Sequence, residues 1–272
     1  MAIITLTTDY GNKDYSVSSL KAKLISEIDD INIVDITHDI SPFNLAEAGY
    51  VLEGAFSEFP KGTIHILSVD SELTPENKHI AIMYDGSFFI GADNGVFSLI
   101  FRDKKPDQIV EINLHSNYNY DISADELFVK VASHINRSGP LNVVGSEIDT
   151  IKEITNLRPV INKEMNQILG SVIYIDNYGN VVTNITEKLF KEISKTRPFT
   201  INARNVKFSK IHKNYSDAID FNLEKKDREE DGKKIALFNN LGYLQLSVYR
   251  SNPHTVGSAS TLFGLNHRDA VS

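Results

Sequence analysis

The chain has 272 residues, 41% of them hydrophobic and 24% charged, and its 28 basic against 36 acidic side chains give a net charge of −8. This length suits two domains, and the acidic balance argues against a nucleic-acid binder, which presents a basic face. The absence of cysteine excludes disulfide frameworks, thiolate metal sites and cysteine nucleophiles; no apolar run approaches the roughly 20 residues that span a bilayer, and no signal-like segment opens the chain, so a cytoplasmic protein without a membrane partner is expected.

Ile3 to Thr7 reads as a strand, Ser16 to Ile28 as a helix, Ile33 to Ile36 as a strand and Asn44 to Phe59 as a helix. Thr63 to Val69 is a further strand, rich in β-branched residues. This rhythm predicts an α/β domain with a mainly parallel sheet and helices on its faces. Ligands in such sheets bind beyond the carboxyl ends of the strands. Thr8-Asp9-Tyr10-Gly11 and Ser68-Val69-Asp70 both lie there. His79 to Tyr84 and Ser87 to Gly91, joined by Asp85-Gly86, read as a hairpin, because a two-residue Asp-Gly link favours the tight turn. Ala124 to Asn136 predicts a helix with Leu127, Phe128, Val131 and Ile135 on one face.

From Gln167 onward the pattern changes to short strands, at Gly170 to Ile175, Asn180 to Ile185, Phe199 to Ala203, Lys234 to Phe238 and Tyr243 to Val248. These predict a small C-terminal β-barrel or sandwich. The domain boundary is placed at Arg158-Pro159, giving domains 1–158 and 159–272. The charge-dense run from Glu224 to Lys234 reads as a solvated loop.

Several short segments together resemble the SAM (S-adenosyl-L-methionine) hydroxide adenosyltransferase family, or SAM hydrolases, whose relatives include SAM-dependent chlorinases and fluorinases. They are Thr7-Thr8-Asp9-Tyr10-Gly11, Asp14-Tyr15-Ser16-Val17, Val34-Asp35-Ile36-Thr37-His38, Ser41-Pro42-Phe43, Ser68-Val69-Asp70 and Ala92-Asp93-Asn94-Gly95. Further along come Ile175-Asp176-Asn177-Tyr178-Gly179-Asn180, Thr183-Asn184-Ile185, Tyr215-Ser216-Asp217 and Asn239-Asn240-Leu241-Gly242-Tyr243-Leu244. Their order and spacing run over almost the whole chain. The resemblance implies an N-terminal α/β domain, a C-terminal β-barrel and a homotrimer. It also implies that SAM sits between the N-terminal domain of one subunit and the C-terminal domain of its neighbour. SAM or adenosine is then the small-molecule partner, with SAM a substrate and no metal or redox cofactor required.

By this resemblance Asp9 holds the ribose diol, which matches the two oxygens of a carboxylate; the competing reading is an ordinary strand-to-helix turn. Asp14 and Ser16 correspond to positions at the methionine end of SAM, although either also suits the start of the following helix. Phe43 corresponds to an aromatic beside the ligand, with a hydrophobic staple before Asn44-x-x-Glu47 as its rival role. Asp176, Tyr178 and Asn180 correspond to the barrel-domain ligand loop, and the same tetrapeptide makes a good turn. Tyr215 and Asn240, within Asn239-Asn240-Leu241, resemble the adenine pocket.

The family handles its attacking water with an Asp-Arg-His set. Asp70 corresponds to the acid, suited to orient a water and accept its proton. The other two positions hold Asn77 and Ser123, and Ser123-Ala124-Asp125-Glu126 reads as a capping box. The expected reaction is hydrolysis of SAM to adenosine and L-methionine. A non-catalytic SAM or adenosine sensor is the alternative that these two departures raise, and halide transfer is a second. The halogenases lack a carboxylate at the position of Asp70, where it would repel a halide, and carry an extra loop in the Tyr84-to-Ser87 region that this chain lacks.

Overall fold

A computed structural model describes residues 2–102, 104–114, 122–155, 157–228 and 230–272. The chain divides into two compact units, Met1–Ile154 and Thr155–Ser272.

In the first unit β1 (Ala2–Thr8), α1 (Ser16–Glu27), β2 (Ile31–Thr37), α2 (Leu45–Phe56) and β3 (Ile64–Ser68) keep the predicted alternation. Then come β4 (His79–Tyr84), β5 (Ser87–Ala92), α3 (Val96–Phe101), β6 (Gln108–Ile112), α4 (Ala124–Asn136) and β7 (Gly145–Glu147). They form a seven-stranded sheet in the order β2-β1-β3-β5-β4-β6-β7. Strands β2, β1, β3 and β5 are mutually parallel, whereas β4 pairs antiparallel with β5 and β6, and β6 with β7. The expected mainly parallel sheet is therefore a mixed one. The cause is local: Asp85 and Gly86 both take positive φ, 49° and 71°, the twist a two-residue hairpin needs, and this forces β4 antiparallel beside β5.

Alternation along the strands sorts the core to the two faces of the sheet. Ile4, Leu6, Ile64, Ile66 and Ala81 pack with Leu20 and Leu24 of α1 and with Leu127, Phe128 and Val131 of α4. Leu67, Ile80, Ile82 and Phe89 pack with Ala48 and Leu52 of α2 and with Phe97 and Phe101 of α3. The sheet is thus a layer between two pairs of helices, and its parallel strands deliver their carboxyl ends to one edge.

The second unit holds β8 (Val160–Ile161), β9 (Ile168–Ile175), β10 (Val181–Thr186), α5 (Glu187–Ser194), β11 (Ile201–Ala203), β12 (Val206–Phe208), β13 (Lys234–Phe238), β14 (Tyr243–Val248), α6 (Ala259–Phe263) and β15 (Ala270–Val271). The main sheet runs β13-β14-β10-β9-β15, with β8 also on β9, and β11 and β12 pair separately. Among the described residues every pair of these strands is antiparallel. Among the described residues no pair closes this path into the expected barrel, so the architecture stands as mixed α/β with separate antiparallel sheets. Helix α5 is absent from the sequence expectation; Thr186 caps it by accepting from the Leu189 N–H, and Glu187 pairs with Lys191 one turn on. Of the charged run 224–234, residue 229 lies outside the described residues and most of the rest is exposed. Among the described residues, no helix is long and apolar enough to cross a membrane.

Candidate active site

Strands β1 and β3 run side by side with Thr8 opposite Ser68, so the segments that begin with Asp9 and Asp70 leave the sheet together. Near its end β1 slips register against β2, between Leu6 and Thr7, an irregularity that re-aims the segment beyond it. The Asp9 turn is then pinned to the end of β2. The Gly11 N–H donates to the His38 carbonyl at 2.7 Å, and the Asn12 amide donates to both Asp39 carboxylate oxygens at 3.1 Å. Behind it, the buried His38 ring hydrogen-bonds Thr8 Oγ1 at 2.9 Å through Nδ1, and its Nε2 lies 3.0 Å from Asp35 Oδ1. Asp9 accepts the Phe43 N–H at Oδ2, 3.0 Å away; among the described residues Oδ1 takes no hydrogen bond. One oxygen is committed to a turn and the other is available.

Phe43 has φ of +61° and is 70% exposed. A ring that open does not pack as a staple does, and a bulky side chain in the left-handed region carries backbone strain. Asn44 does cap α2, accepting from the Glu47 N–H at 3.3 Å. The Glu47 carboxylate returns to the Ser41 N–H rather than to Asn44's own. Asp14 accepts the Ser16 N–H at 2.9 Å. That bond, and then the Ser16 hydroxyl, hold its carboxyl below the usual carboxylate range. Asp14 therefore supports the start of α1, with Ser16 as the first helical residue.

Asp70 also has positive φ, 47°. Two amides hold its carbonyl: Asn77 Nδ2 at 2.8 Å and Asn94 Nδ2 at 3.2 Å. Asn77 donates in addition to the Glu72 carbonyl, and Asn94 to that of Val69, each at 3.0 Å. Asn77 thus shapes the backbone around Asp70 instead of presenting a cation. The Asp70 carboxylate has no hydrogen-bond partner among the described residues. Ser123 is exposed and caps α4 in a complete capping box with Glu126, so both departures from the family set have structural roles.

A polar cluster beside these residues had no assigned role in the sequence. Tyr10 Oη donates to Asp125 Oδ1 at 2.6 Å and lies 2.7 Å from Ser68 Oγ, which is 2.9 Å from Ser71 Oγ. Burial first, then the charge of Asp125, hold the Tyr10 phenol protonated well above its ordinary value. The signals were present: Tyr10 lies inside the opening motif, and Asp125 inside the capping box.

In the second unit Asp176 organises its own loop. Its carboxylate accepts from the N–H groups of Tyr178 and Asn180, both at 2.9 Å, and from the Asn180 side-chain amide at 2.8 Å. Tyr178 is left 66% exposed. Tyr215 hydrogen-bonds Gln245 at 2.7 Å and Ser247 at 3.2 Å; burial and then the nearby Asp176 charge raise its phenol. Asp176, Tyr178, Asn180 and Tyr215 therefore gather around one loop. Asn240 is exposed in the β13–β14 turn, which Asn239 builds by accepting the N–H groups of Leu241 and Tyr243.

Models of the two domains of the SAM hydroxide adenosyltransferase family match this chain, the N-terminal domain over residues 4–145 and the C-terminal domain over residues 170–272. The chain belongs to this family. It is 29% identical over 276 residues to a protein of Methanocaldococcus jannaschii named (R)-S-adenosyl-L-methionine hydrolase, covering 99% of this chain and 94% of that one. A Salinispora tropica protein of the same name is 23% identical over 198 residues, covering 71% of this chain and 76% of its own. A fluorinase from Actinopolyspora mzabensis is 22% identical over 214 residues, covering 67% of this chain and 71% of its own. Among solved structures, an uncharacterized conserved protein from Thermotoga maritima matches with a TM-score of 0.78 and 25% identity, covering 100% of this chain and 98% of that one. A conserved hypothetical protein from Thermus thermophilus shares the fold, with a TM-score of 0.70 and 19% identity over 100% of this chain and 99% of its own.

Proposed function

We propose that this family member hydrolyses SAM to adenosine and L-methionine, with Asp9 holding the ribose and Asp70 handling the attacking water. The observation that carries the reading is the pairing of two carboxylates at adjacent parallel strand ends, each with an oxygen or a whole carboxylate left without a protein partner among the described residues. The water oxygen bonds to C5′ as the C5′–S bond breaks, and the electron pair of that bond goes to sulfur, giving the neutral thioether of methionine. One water proton goes to Asp70 and the other stays as part of the 5′-hydroxyl of adenosine. The sulfonium is a good leaving group, so fixing ribose and water in line supplies much of the barrier reduction.

The exposed Phe43 ring and its strained backbone support a ligand-facing role beside Asp9. Ser16 contributes at the methionine end, while Asp14 acts through the helix start. Asp176, Tyr178, Asn180, Tyr215 and Asn240 are the proposed methionine and adenine contacts of the second domain. The assembly is proposed to be a cytoplasmic homotrimer whose sites each draw residues from two subunits. Mixing Asp70→Asn subunits with Asp176→Ala subunits tests this, because a shared site regains activity in the mixture and a site within one subunit does not.

A sensor without turnover is the second reading, favoured by the structural roles of Asn77 and Ser123. Incubating the purified protein with SAM, with and without chloride, and separating the products discriminates the readings. Adenosine above the buffer blank supports hydrolysis, a halogenated nucleoside supports halide transfer, and SAM binding without product supports the sensor. Asp70→Asn is expected to abolish turnover while retaining SAM affinity, and unchanged turnover removes Asp70 from the mechanism.

A further inference from the structure

The hydrogen bonds around Tyr10 have a determinable direction. Three hydroxyl groups, those of Tyr10, Ser68 and Ser71, carry one proton each, and Asp125 Oδ1 is the acceptor at one end. At 2.6 Å the Tyr10 Oη–Asp125 Oδ1 contact has the length of a charge-assisted bond, so the phenol proton is committed to Asp125. Between Tyr10 and Ser68, 2.7 Å apart, Ser68 must then be the donor, and its Oγ also lies 3.3 Å from the same Asp125 oxygen. Between Ser68 and Ser71, 2.9 Å apart, the donor must be Ser71. Every proton points toward Asp125. Ser71, which reaches Tyr10 as well as Ser68, has spent its proton inward and has only lone pairs left to offer.

Ser71 directly follows Asp70, whose carboxylate is unpartnered among the described residues. Resting on the hydrolase reading above, we propose that Asp125, acting through Tyr10 and Ser68, sets the Ser71 hydroxyl to accept a hydrogen bond from the water that Asp70 deprotonates. Asp125, Tyr10 and Ser68 are positioning residues, and Ser71 touches the reacting water. A water held this way gives one hydrogen to Asp70 and the other to Ser71. Its own lone pairs then accept nothing from these two groups, and one of them is free to attack C5′. The first hydrogen leaves to Asp70 as the O–C5′ bond forms; the second remains on the product hydroxyl. A site end built from acceptors alone also disfavours a halide, which needs donors. The arrangement fills the gap left by Asn77 and Ser123 by a different route: it orients the nucleophile through acceptors, where the family set includes a cation.

The test is a double-mutant cycle on adenosine formation from SAM. Ser71→Ala is expected to lower kcat on the order of a hundredfold, the scale of a misplaced reacting group, with KM and the SAM dissociation constant moving less than about twofold. Ser71→Thr, which keeps the hydroxyl, restores kcat. Asp125→Ala removes the acceptor, frees the phenol proton and breaks the direction of the chain, so it falls to the same level. Adding Ser71→Ala to it costs nothing further, because the two act as one unit. Tyr10→Phe, nearly isosteric, gives the intermediate deletion and guards against misfolding of Asp125→Ala. A kcat for Ser71→Ala within about twofold of wild type overturns the proposal, as do multiplicative losses in the double variant. Wild-type protein that binds SAM without releasing adenosine overturns the hydrolase reading and this proposal together. Normal wild-type turnover with an unaffected Ser71→Ala overturns only the latter.

Discussion

Lowering the pH from about 8 to about 4 puts the buried imidazole of His65 under strain. This residue sits in β3, the strand that leads to Ser68 and Asp70, and its side chain is fully shielded from water. The ring stacks on Phe89 at 4.8 Å, meets the edges of Phe56 and Phe59, and hydrogen-bonds Thr5 Oγ1 at 2.7 Å. Among the described residues its Nε2 atom is buried with no hydrogen-bond partner, and nothing there compensates a positive charge. Burial lowers its pKa from 6.5 to about 4. The unfolded chain therefore takes up a proton near 6.5, which the folded chain refuses until about 4. Stability is unaffected above the upper value, declines through the window between the two, and levels off below it. At about 1.4 kcal/mol per decade of proton affinity, the loss is about 3 kcal/mol. The assay is urea unfolding followed by circular dichroism across this range, for wild type and His65→Phe. The variant keeps an aromatic ring, cannot titrate, and leaves Thr5 unpartnered at every pH. Carboxylates common to both proteins cancel in the difference, which is expected to shift by about 3 kcal/mol toward the variant as the pH falls. A difference constant to within about 0.5 kcal/mol refutes the reasoning.

Asp9→Asn retains an acceptor for the Phe43 N–H but loses the charge, so the turn should persist by circular dichroism while SAM affinity by calorimetry drops about tenfold to a hundredfold; unchanged affinity removes Asp9 from the ribose. Phe43→Gly relieves a positive φ of 61° at a ring that buries little. The expected outcome is a melting temperature equal to or above wild type, with a raised KM for SAM, and a large loss of stability contradicts the strain assigned to it. Gly179→Ala would set a Cβ 2.2 Å from Ser258 Oγ at a φ of +71°. Its urea midpoint should fall by the equivalent of about 2 kcal/mol or more, and an unchanged midpoint shows that the loop against α6 yields freely.

The helices and strands easiest to read were those whose pattern and end signals agreed. Helix α4 carries a capping box at Ser123 and a clean apolar face, and its bounds match the reading. The β4–β5 hairpin is dictated by Asp85-Gly86. Other elements lacked such agreement. Helix α3 is six nearly uniformly apolar residues, too short to show a helical period, and α5 has its apolar residues crowded at Leu189, Phe190 and Ile193 within two turns. That β5, rather than β4, lies against β3 is a tertiary choice with no local signature; the hairpin itself is what makes the sheet mixed. At the site, residue identities were visible and their bonding was not. The sequence presents Asn77 as a missing cation, whereas its amide bonds the carbonyls of Asp70 and Glu72. Asp14 and Ser16 look equally able to start α1 in the sequence, and only the 2.9 Å bond to the Ser16 N–H assigns the work to Asp14. Tyr10, Ser68 and Asp125 are distant in sequence, and only the adjacency of β1, β3 and α4 makes one cluster of them.

The carbonyl of Asp70 held by two side-chain amides has a bearing on how this family member can change. An arginine restored at position 77 brings a cation to the site and takes away the amide that bridges Asp70 to Glu72, because a guanidinium fork has neither the length nor the shape of a carboxamide. Asn94 would then hold the left-handed turn alone. Asn77→Arg alone therefore gives a form that has the cation and a loosened acid. Loop and side chain are contingent on each other, so a cation placed at position 77 comes at the expense of the turn that carries Asp70.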